Sequence, residues 1–194
     1  MKENKRFTID CGEFYLRELC EEDVDAIVEI TSQPEVAEFL PDWKSTREQR
    51  LDWVINYEIP ENKAFLAAVP NLHQEILRLG IILKETGEFI GFCTSGIKEE
   101  ISGSNREVAF AISKHYRNKG YTTKAVQRLI HYLFQHTTVK RINAVVLPHN
   151  GSSNKVIQKC RFHLKGHVEI DGEQFNHYVL RKEDWESIQL EEII

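Results

Sequence analysis

Apolar residues recur along this chain with two spacings, every second residue as in strands and every third or fourth residue as in helices. The stretch 14–19 predicts a first strand, and 21–31 predicts a helix that ends before Pro34. The apolar residues that set the helical spacing are Val24, Ile27 and Val28. The predicted order thus begins with a strand followed by a helix.

A second helix is predicted from Ser45 to about Tyr57, because Ser45 and Glu48 have the spacing of a capping box. The segment that follows, 58–75, contains a short apolar piece between two prolines. This piece fits a strand and a helix equally well, so its structure is left open.

Strands and turns dominate the middle of the chain. Apolar runs at 79–84 and 89–93 flank a turn that contains Gly87, which predicts an antiparallel hairpin. A further strand is predicted at 107–112, and the clearest helix of the sequence follows at 122–134. The residues that form its single apolar stripe are Ala125, Val126, Leu129, Ile130, Leu133 and Phe134.

The last part of the chain predicts a strand at 141–147, a short helix at 152–159 and a final hairpin. The hairpin pairs 162–170 with 175–180 and turns at Asp171-Gly172, a common two-residue turn pair. The predicted order of elements is β-α-α-β-β-β-α-β-α-β-β. This order indicates an α/β fold with a mixed sheet.

Composition is ordinary for a globular protein, with 194 residues, 41% of them hydrophobic and 28% charged. Because no repeat or Pro/Gly/Ser-rich linker divides the chain, we expect one domain over 1–194 with a core at about 14–185. The four cysteines contain no C-x-x-C pair, so we expect free thiols in a reducing cytoplasm.

Charge and hydropathy exclude several classes of partner. The formal net charge is −5 and the basic residues are scattered, which disfavours nucleic acid. Neither a signal peptide nor a run of about 18 apolar residues is present, so we expect a soluble, cytoplasmic protein without a membrane partner.

The segment most informative about chemistry is 113–123, between a predicted strand and the clearest helix. A loop that passes through Gly120 into a helix N-terminus directs unpaired backbone N–H groups and a partial positive charge at one place. Such a place suits a pyrophosphate, and Arg117 and Lys119 add positive charge at its rim. A plain connector with a turn glycine fits the same residues. The glycine motifs of P-loop NTPases and dinucleotide-binding enzymes are absent.

The run Arg117-Asn118-Lys119-Gly120-Tyr121-Thr122 resembles the central motif of the GNAT superfamily of N-acetyltransferases, with Thr122 in place of a final Gly or Ala. A second run, 150–162, resembles another motif of the family, in which Asn is followed by any two residues, then Ser or Ala, and then a short helix that ends in Gly-Phe. Arg161 stands here where Gly is usual. The resemblance extends over about 14–185. It is strongest to the branch of ribosomal-protein N-terminal alanine acetyltransferases.

The resemblance implies the GNAT fold, an α+β fold with a mainly antiparallel sheet flanked by helices, and acetyl-CoA as cosubstrate. In such a fold the pantetheine arm lies between two splayed strands and the pyrophosphate lies on the loop. The residues implied to bind acetyl-CoA are Phe110, Ala111, Ile112, Arg117, Asn118, Lys119, Gly120, Tyr121, Thr122, Thr123 and Asn150. The strand residues would do so through their backbone.

Two residues are candidates for catalysis. Glu107 stands where the family branch usually carries a glutamate, so it is the candidate general base, acting directly or through water. A structural carboxylate that caps nearby backbone fits Glu107 equally well. The tyrosine that the family often uses to protonate the thiolate would fall at Ile157, which makes Ser153 the substitute candidate. Ser153 also fits a helix N-cap.

Two other groups of residues bear on the site. His163 and His167 are four apart on a predicted strand, a spacing that does not build the two-histidine face of a metal-binding helix, and no metal is expected. Trp43, Trp53 and Tyr57 are candidates to line the acceptor cleft, although such aromatic residues more often belong to a core.

The function that follows from the resemblance is transfer of an acetyl group from acetyl-CoA directly to a primary amine, with a protein N-terminal α-amine as one acceptor. Two alternatives stay open. The acceptor can be a small molecule such as a polyamine, an antibiotic or an amino acid. The chain can also be a catalytically silent, CoA-binding regulatory domain. The sequence leaves the oligomeric state open.

Overall fold

The computed structural model describes residues 6–191, which form one eight-stranded sheet with helices on both faces. The strands are β1 (Thr8–Asp10), β2 (Phe14–Glu18), β3 (Leu77–Leu83), β4 (Phe89–Ile97), β5 (Arg106–Ile112), β6 (Arg141–Val146), β7 (His163–Ile170) and β8 (Glu173–Arg181). Their order in the sheet is β1-β2-β3-β4-β5-β6-β8-β7. Neighbours are antiparallel except β5 and β6, which are parallel. The predicted mixed, mainly antiparallel sheet is confirmed.

Seven helices lie among the described residues: α1 (Val24–Ser32), α2 (Pro34–Ala37), α3 (Arg47–Trp53), α4 (Ile59–Ala68), α5 (Tyr121–His136), α6 (Gly151–Lys159) and α7 (Lys182–Glu191). The predicted apolar stripe of α5 is buried in full and forms the centre of the larger core. A smaller core on the other face of the sheet contains Val24, Ile27 and Ile30 of α1 together with Phe92 of β4. The two helical stripes thus fix which face of the sheet each helix covers.

Both predicted hairpins are present. Gly87, in the turn between β3 and β4, has φ +72°, a backbone conformation that favours glycine. In the turn between β7 and β8, Asp171 and Gly172 both have positive φ, +52° and +81°, as a two-residue turn of type I′ requires.

The N-terminus of α3 differs from the prediction by one residue. The cap is Thr46, whose hydroxyl accepts from the Gln49 N–H at 3.2 Å, while the Gln49 side chain accepts from the Thr46 N–H at 2.9 Å. The predicted cap with Ser45 and Glu48 is therefore wrong. Starting the helix at Arg47 places Arg50 and Val54 on its buried side, and this burial selects the register.

The segment left open by the sequence is largely helical. Helix α3 continues through a π-helical turn, Val54–Glu58, into α4. Tertiary contacts hold α4 against β3, because the Asn62 amide donates to the carbonyl of Arg78 at 2.9 Å and accepts from its N–H at 2.7 Å. Phe65 is fully buried in the larger core. These long-range contacts have no signature in the local sequence.

Three elements were not predicted, and one of them is the four-residue helix α2, which begins at Pro34. Strand β1 has three residues, and its pattern is too short to stand out from the background. Helix α7 presents a single large buried apolar residue among its described side chains, Trp185, which packs against Phe134 of α5 at 5.5 Å between ring centroids.

Candidate functional site

A cleft opens where β5 and β6 separate. The register joins the two strands at one pair, Glu107 with Asn143, and the Asn143 amide donates to the carbonyl of Arg106 at 2.9 Å. Beyond this point the strands diverge and leave a cleft of ≈ 870 Å³. Its walls also include α2, the loop before α5, and one side of α6.

The backbone of β5 presents unpaired peptide groups to this cleft. The N–H of Ser113 donates to the Ile90 carbonyl of β4 at 2.8 Å, so by the alternation of an antiparallel pair Ala111 also directs its peptide groups to β4. Phe110 and Ile112 direct theirs the other way, toward the gap. Ala111 lines the cleft but does not offer its own N–H or C=O to it.

The loop that enters α5 forms an open N-terminus. Gly120 has φ +84°, and no atom lies within 4 Å of the place where a Cβ would stand. The first helical hydrogen bond runs from Lys124 to the Gly120 carbonyl at 3.1 Å, so the N–H groups of Tyr121, Thr122 and Thr123 precede the helical ladder. These donors and the helix dipole favour a bound phosphate group.

Four basic side chains are relevant to phosphate binding at this loop, and they differ in whether they line the cleft. Arg117 lines the cleft and donates one N–H to the Glu35 carbonyl of α2 at 3.0 Å. Lys119 does not line the cleft, and its ammonium lies 4.9 Å from the Tyr116 ring centre. Lys155 and Lys159 of α6 do line it. Sequence reasoning missed this pair, although their spacing of four residues places them on one helical face.

Helix α6 is capped by Asn150. Its side-chain oxygen accepts from the Ser153 N–H and from the Ser152 hydroxyl, each at 3.1 Å. Ser153 is therefore the third residue of the helix, and the alternative that it is the N-cap is wrong. Its hydroxyl belongs to the lining of the cleft and has no hydrogen-bond partner among the described residues.

A buried polar network fixes the loop before α6. The Asn154 amide donates to the carbonyls of Leu147 and Asn150, at 2.9 and 2.8 Å. Its oxygen accepts from the Tyr178 hydroxyl at 2.7 Å and from the Asn176 amide at 3.0 Å. Asn154 and Tyr178 escaped sequence reasoning because β8 meets α6 only in the folded chain.

Glu107 lies in the cleft where β5 and β6 meet. Its carboxylate makes no hydrogen bond to any described residue, so the capping role left open by the sequence is not observed. Burial raises its pKa to about 7, while Lys98 lowers it and Glu100 raises it further. A carboxyl group with this pKa can exchange a proton near neutral pH.

The predicted aromatic residues meet in a pocket beside the cleft. Trp43, Trp53 and Tyr57 line a smaller pocket of ≈ 330 Å³, which we call the side pocket. Trp43 also lines the main cleft and stacks on Phe92 with ring centroids 4.7 Å apart. The side pocket and the cleft therefore adjoin at Trp43.

The described part of the chain was found to hold neither a metal-ligand cluster nor a helix of membrane-spanning length. No group of three His, Cys, Asp or Glu side chains in residues 6–191 is arranged to hold a metal ion. No helix in this range is long and apolar enough to cross a bilayer. The four cysteines are free and buried.

Comparison with protein families identifies the architecture. A model described as an acetyltransferase (GNAT) domain matches residues 13–163, which include the cleft, the loop before α5 and helix α6. The chain belongs to the GNAT acetyltransferase family. It is thus an N-acetyltransferase, as its sequence relatives are also named.

Relatives of this GNAT enzyme occur in Bacillus. An uncharacterized N-acetyltransferase p20 of Bacillus licheniformis is 28% identical over 153 residues, which cover 78% of this chain and 79% of that protein. The uncharacterized N-acetyltransferase YnaD of Bacillus subtilis (strain 168) is 24% identical over 88% of this chain and 94% of its own.

Solved structures share the GNAT fold over nearly their whole length. A GNAT acetyltransferase from Bacillus anthracis matches with a TM-score of 0.72 at 20% identity, over 91% of this chain and 99% of that one. The aminoglycoside acetyltransferase AAC(6')-Ib, solved with coenzyme A, matches with a TM-score of 0.70 at 18% identity, over 90% and 98%. The predicted fold is confirmed.

Proposed function

We propose that this GNAT enzyme moves an acetyl group from acetyl-CoA directly to a primary amine bound in the cleft between β5 and β6. The observation that carries the proposal is the unpaired edge of β5. Phe110 and Ile112 direct their peptide groups into a gap that leads to the open N-terminus of α5. In CoA an extended arm with amides leads to a diphosphate. This order matches the free peptide groups of β5 followed by the open N-terminus of α5.

The loop residues fit the diphosphate of CoA. The free space around Gly120 lets a phosphate approach the backbone, and the N–H groups that open α5 point at the same place. Arg117, Lys155 and Lys159 supply the positive charge that balances the phosphates. Asn118, with φ +62°, continues the same turn. Lys119 would have to leave the Tyr116 ring to join them.

The reaction needs two proton steps, and the cleft offers one residue for each. Acetyl-CoA, when bound, supplies the thioester, and a new C–N bond forms as the C–S bond breaks. Glu107 takes the proton that the amine gives up, directly or through water. A backbone N–H at the edge of β5 stabilises negative charge on the carbonyl oxygen. Because residue 157 is isoleucine and not tyrosine, the Ser153 hydroxyl relays a proton to the departing sulfur and takes one back from water, so that CoA leaves as the free thiol.

A carboxylate base is strong enough for acceptors of moderate basicity. An N-terminal α-amine with a pKa near 8 is neutral in about one molecule in ten at pH 7, whereas a lysine near 10.4 is neutral in about one in 2,500. A protein N-terminus and small amines of lowered pKa are therefore the favoured acceptors. The ribosomal-protein branch and a cytoplasmic location stay predictions.

The test is a panel of amines incubated with acetyl-CoA, with release of free thiol as the readout. The protein's own thiols will contribute little background, because burial raises the pKa of Cys11 to about 11 and that of Cys160 to about 12. Amine-dependent release supports the proposal. A protein that binds CoA but acetylates no amine in a panel of peptides, polyamines and amino sugars is instead a regulatory domain.

A further inference from the structure

Side-chain hydrogen bonds hold β5 and β6 together at the end of the cleft where the strands meet. A single register pair, Glu107 with Asn143, joins the two parallel strands there. The Asn143 amide donates to two carbonyls on the β5 side, those of Ser104 and Arg106, each at 2.9 Å. Both N–H groups of this amide are therefore bonded to the backbone that leads directly into Glu107.

His177 of β8 fixes the orientation of this amide. Its Nε2 lies 3.0 Å from the side-chain oxygen of Asn143. Because carbonyls only accept hydrogen bonds, the amide nitrogen must face Ser104 and Arg106, and the amide oxygen must accept from the imidazole. The ring therefore carries a proton on Nε2. His177 pairs with Val145, two residues beyond Asn143, so the contact is a diagonal one between neighbouring strands.

We call Asn143 and His177 the junction clamp, and both of its side chains are buried. Asn143 is fully buried and His177 is 7% exposed. Turning the amide over would place its oxygen against two carbonyl oxygens and its nitrogen against the N–H of His177. Because an unpaired polar group is costly in the interior, the folded chain favours the one orientation in which all of these groups are paired.

The loop between β4 and β5 is tied to the same place. Arg141 of β6 donates from Nε to the Ser104 carbonyl at 3.1 Å. The loop also carries Lys98 and Glu100, an ion pair at 3.2 Å. Burial raises the pKa of Glu107 to about 7, and the charges of Lys98 and Glu100 act on the same carboxyl. The surroundings of Glu107 thus depend on how β6 holds this loop and β5.

We propose that His177 is a positioning residue for acetyl transfer, which through Asn143 holds β5 to β6 and so sets the direction of Glu107. The inference rests on the proposed role of Glu107 as the base. His177 does not line the cleft, and it lies on β8, the strand on the other side of β6 from β5. The same bonds fix where the two strands begin to separate, and hence the width of the gap beside Phe110.

Two amide residues in place of His177 test the inference. In His177→Gln the amide nitrogen can take the place of Nε2 and donate to Asn143, whereas the side chain of His177→Asn is too short to reach it. Burial, followed by Lys165 and Arg141, lowers the pKa of His177 from its ordinary value of about 6.5. The ring is therefore mostly neutral near pH 7, and neither replacement changes the charge at the clamp.

We expect His177→Asn to lower kcat about tenfold and to raise the KM for acetyl-CoA, since a misplaced base and a wider gap affect both constants. Glu107 then becomes more hydrated, so the acidic limb of the pH–rate profile, near pH 7 in the wild type, should move about one unit lower. Lys98 and Glu100 face Glu107 in every variant. His177→Gln should keep the wild-type limb and most of the activity.

An acidic limb at the same pH in His177→Asn and the wild type overturns the proposal, because lost stability alone lowers activity without moving the limb. His167→Asn is the matched control. His167 lies on β7, is exposed, makes no side-chain hydrogen bond to a described residue and does not line the cleft. Its kinetics should equal those of the wild type. Equal changes in the two Asn variants contradict the assignment.

A measurement on the wild type separates this inference from acetyl transfer itself. Long-range proton–nitrogen NMR spectra of histidine-labelled protein show which ring nitrogen carries the proton. Among the eight histidines we expect one ring with a slowly exchanging proton on Nε2, and this signal should be missing from His177→Gln. A His177 proton that lies on Nδ1 or exchanges freely sinks the clamp even when amines are acetylated. A protected Nε2 proton with no acetylation of any amine sinks the acetyl transfer instead.

Discussion

Glu107 is the residue on which the proposed chemistry depends most. With a pKa raised to about 7, it is a carboxylate, and hence a base, only above that pH. We predict that wild-type kcat/KM falls as pH drops through 7, and that Glu107→Gln lowers it about 10²-fold at pH 8. A pH–rate profile measures both effects. If Glu107→Gln keeps the height and shape of the wild-type profile, Glu107 is not the base.

The same residue predicts a stability effect. Because the folded pKa is raised above the ordinary glutamate value of about 4.5, the folded state holds this proton more tightly than the unfolded state does. The wild type should lose stability as pH rises from about 4.5 to 7, by at most about 3 kcal/mol. Urea unfolding at pH 5 and pH 8 should show this loss in the wild type and a smaller loss in Glu107→Gln. Equal losses contradict the raised pKa.

At the residue scale the sequence predicted which residues line the cleft better than it predicted their local roles. Gly120 and the positive charge of Arg117 followed from a loop motif and the physics of helix termini. The capping role of Asn150 did not follow from the sequence, because Asn and Ser are both good caps and only the folded chain selects Asn150 over Ser153. The cleft-facing position of Lys155 depends on how α6 packs.

At the element scale, the polar network behind α6 should position Asn150 and Ser153. Tyr178→Phe removes the hydroxyl that donates to Asn154, which holds the carbonyls of the preceding loop. We predict a several-fold higher KM for acetyl-CoA and a loss of about 1 kcal/mol in the free energy of unfolding. Steady-state kinetics and urea unfolding measure the two effects.

The control for this prediction is Tyr132→Phe. Tyr132 lies on α5, is half-buried, makes no side-chain hydrogen bond to a described residue and does not line the cleft. The same loss of a hydroxyl there should leave the KM for acetyl-CoA unchanged. If Tyr178→Phe lowers stability without changing this KM, the network is structural and does not position the site.

Elements with strong local signals were predictable from sequence, and elements fixed by distant contacts were not. The stripe of α5 and the turn residues of the two hairpins carried enough local information. The helix α4 did not, because the bonds from Asn62 to the backbone of β3 and the burial of Phe65 decide its structure. The separation of β5 from β6 was predicted only from the family resemblance.

At the scale of the whole molecule, CoA should stabilise the fold. A ligand that binds only the folded state raises the free energy of unfolding by about 2.7 kcal/mol at a hundredfold excess over Kd. Gly120→Asp places a carboxylate where the phosphates would lie, next to N–H groups that it can occupy itself. We predict that it abolishes the CoA-dependent shift in melting temperature.

Gly87→Asp is the matched control for this variant. Gly87 also has positive φ, +72°, and free space at its Cβ position, but it lies in the β3–β4 turn and does not line the cleft. Both variants should lose similar intrinsic stability from backbone strain, while only Gly120→Asp should lose the response to CoA. Equal responses place the phosphate site elsewhere.

The central claim is that this cleft transfers acetyl groups, and the most direct test measures acetylated product by mass spectrometry. Wild type, Gly120→Asp and Gly87→Asp are each incubated with acetyl-CoA and a panel of primary amines that includes lactosamine, glucosamine, spermidine and a Ser-Ala peptide. We predict product with the wild type and Gly87→Asp and none above background with Gly120→Asp. No product from the wild type with any amine, or undiminished product from Gly120→Asp, would contradict the account.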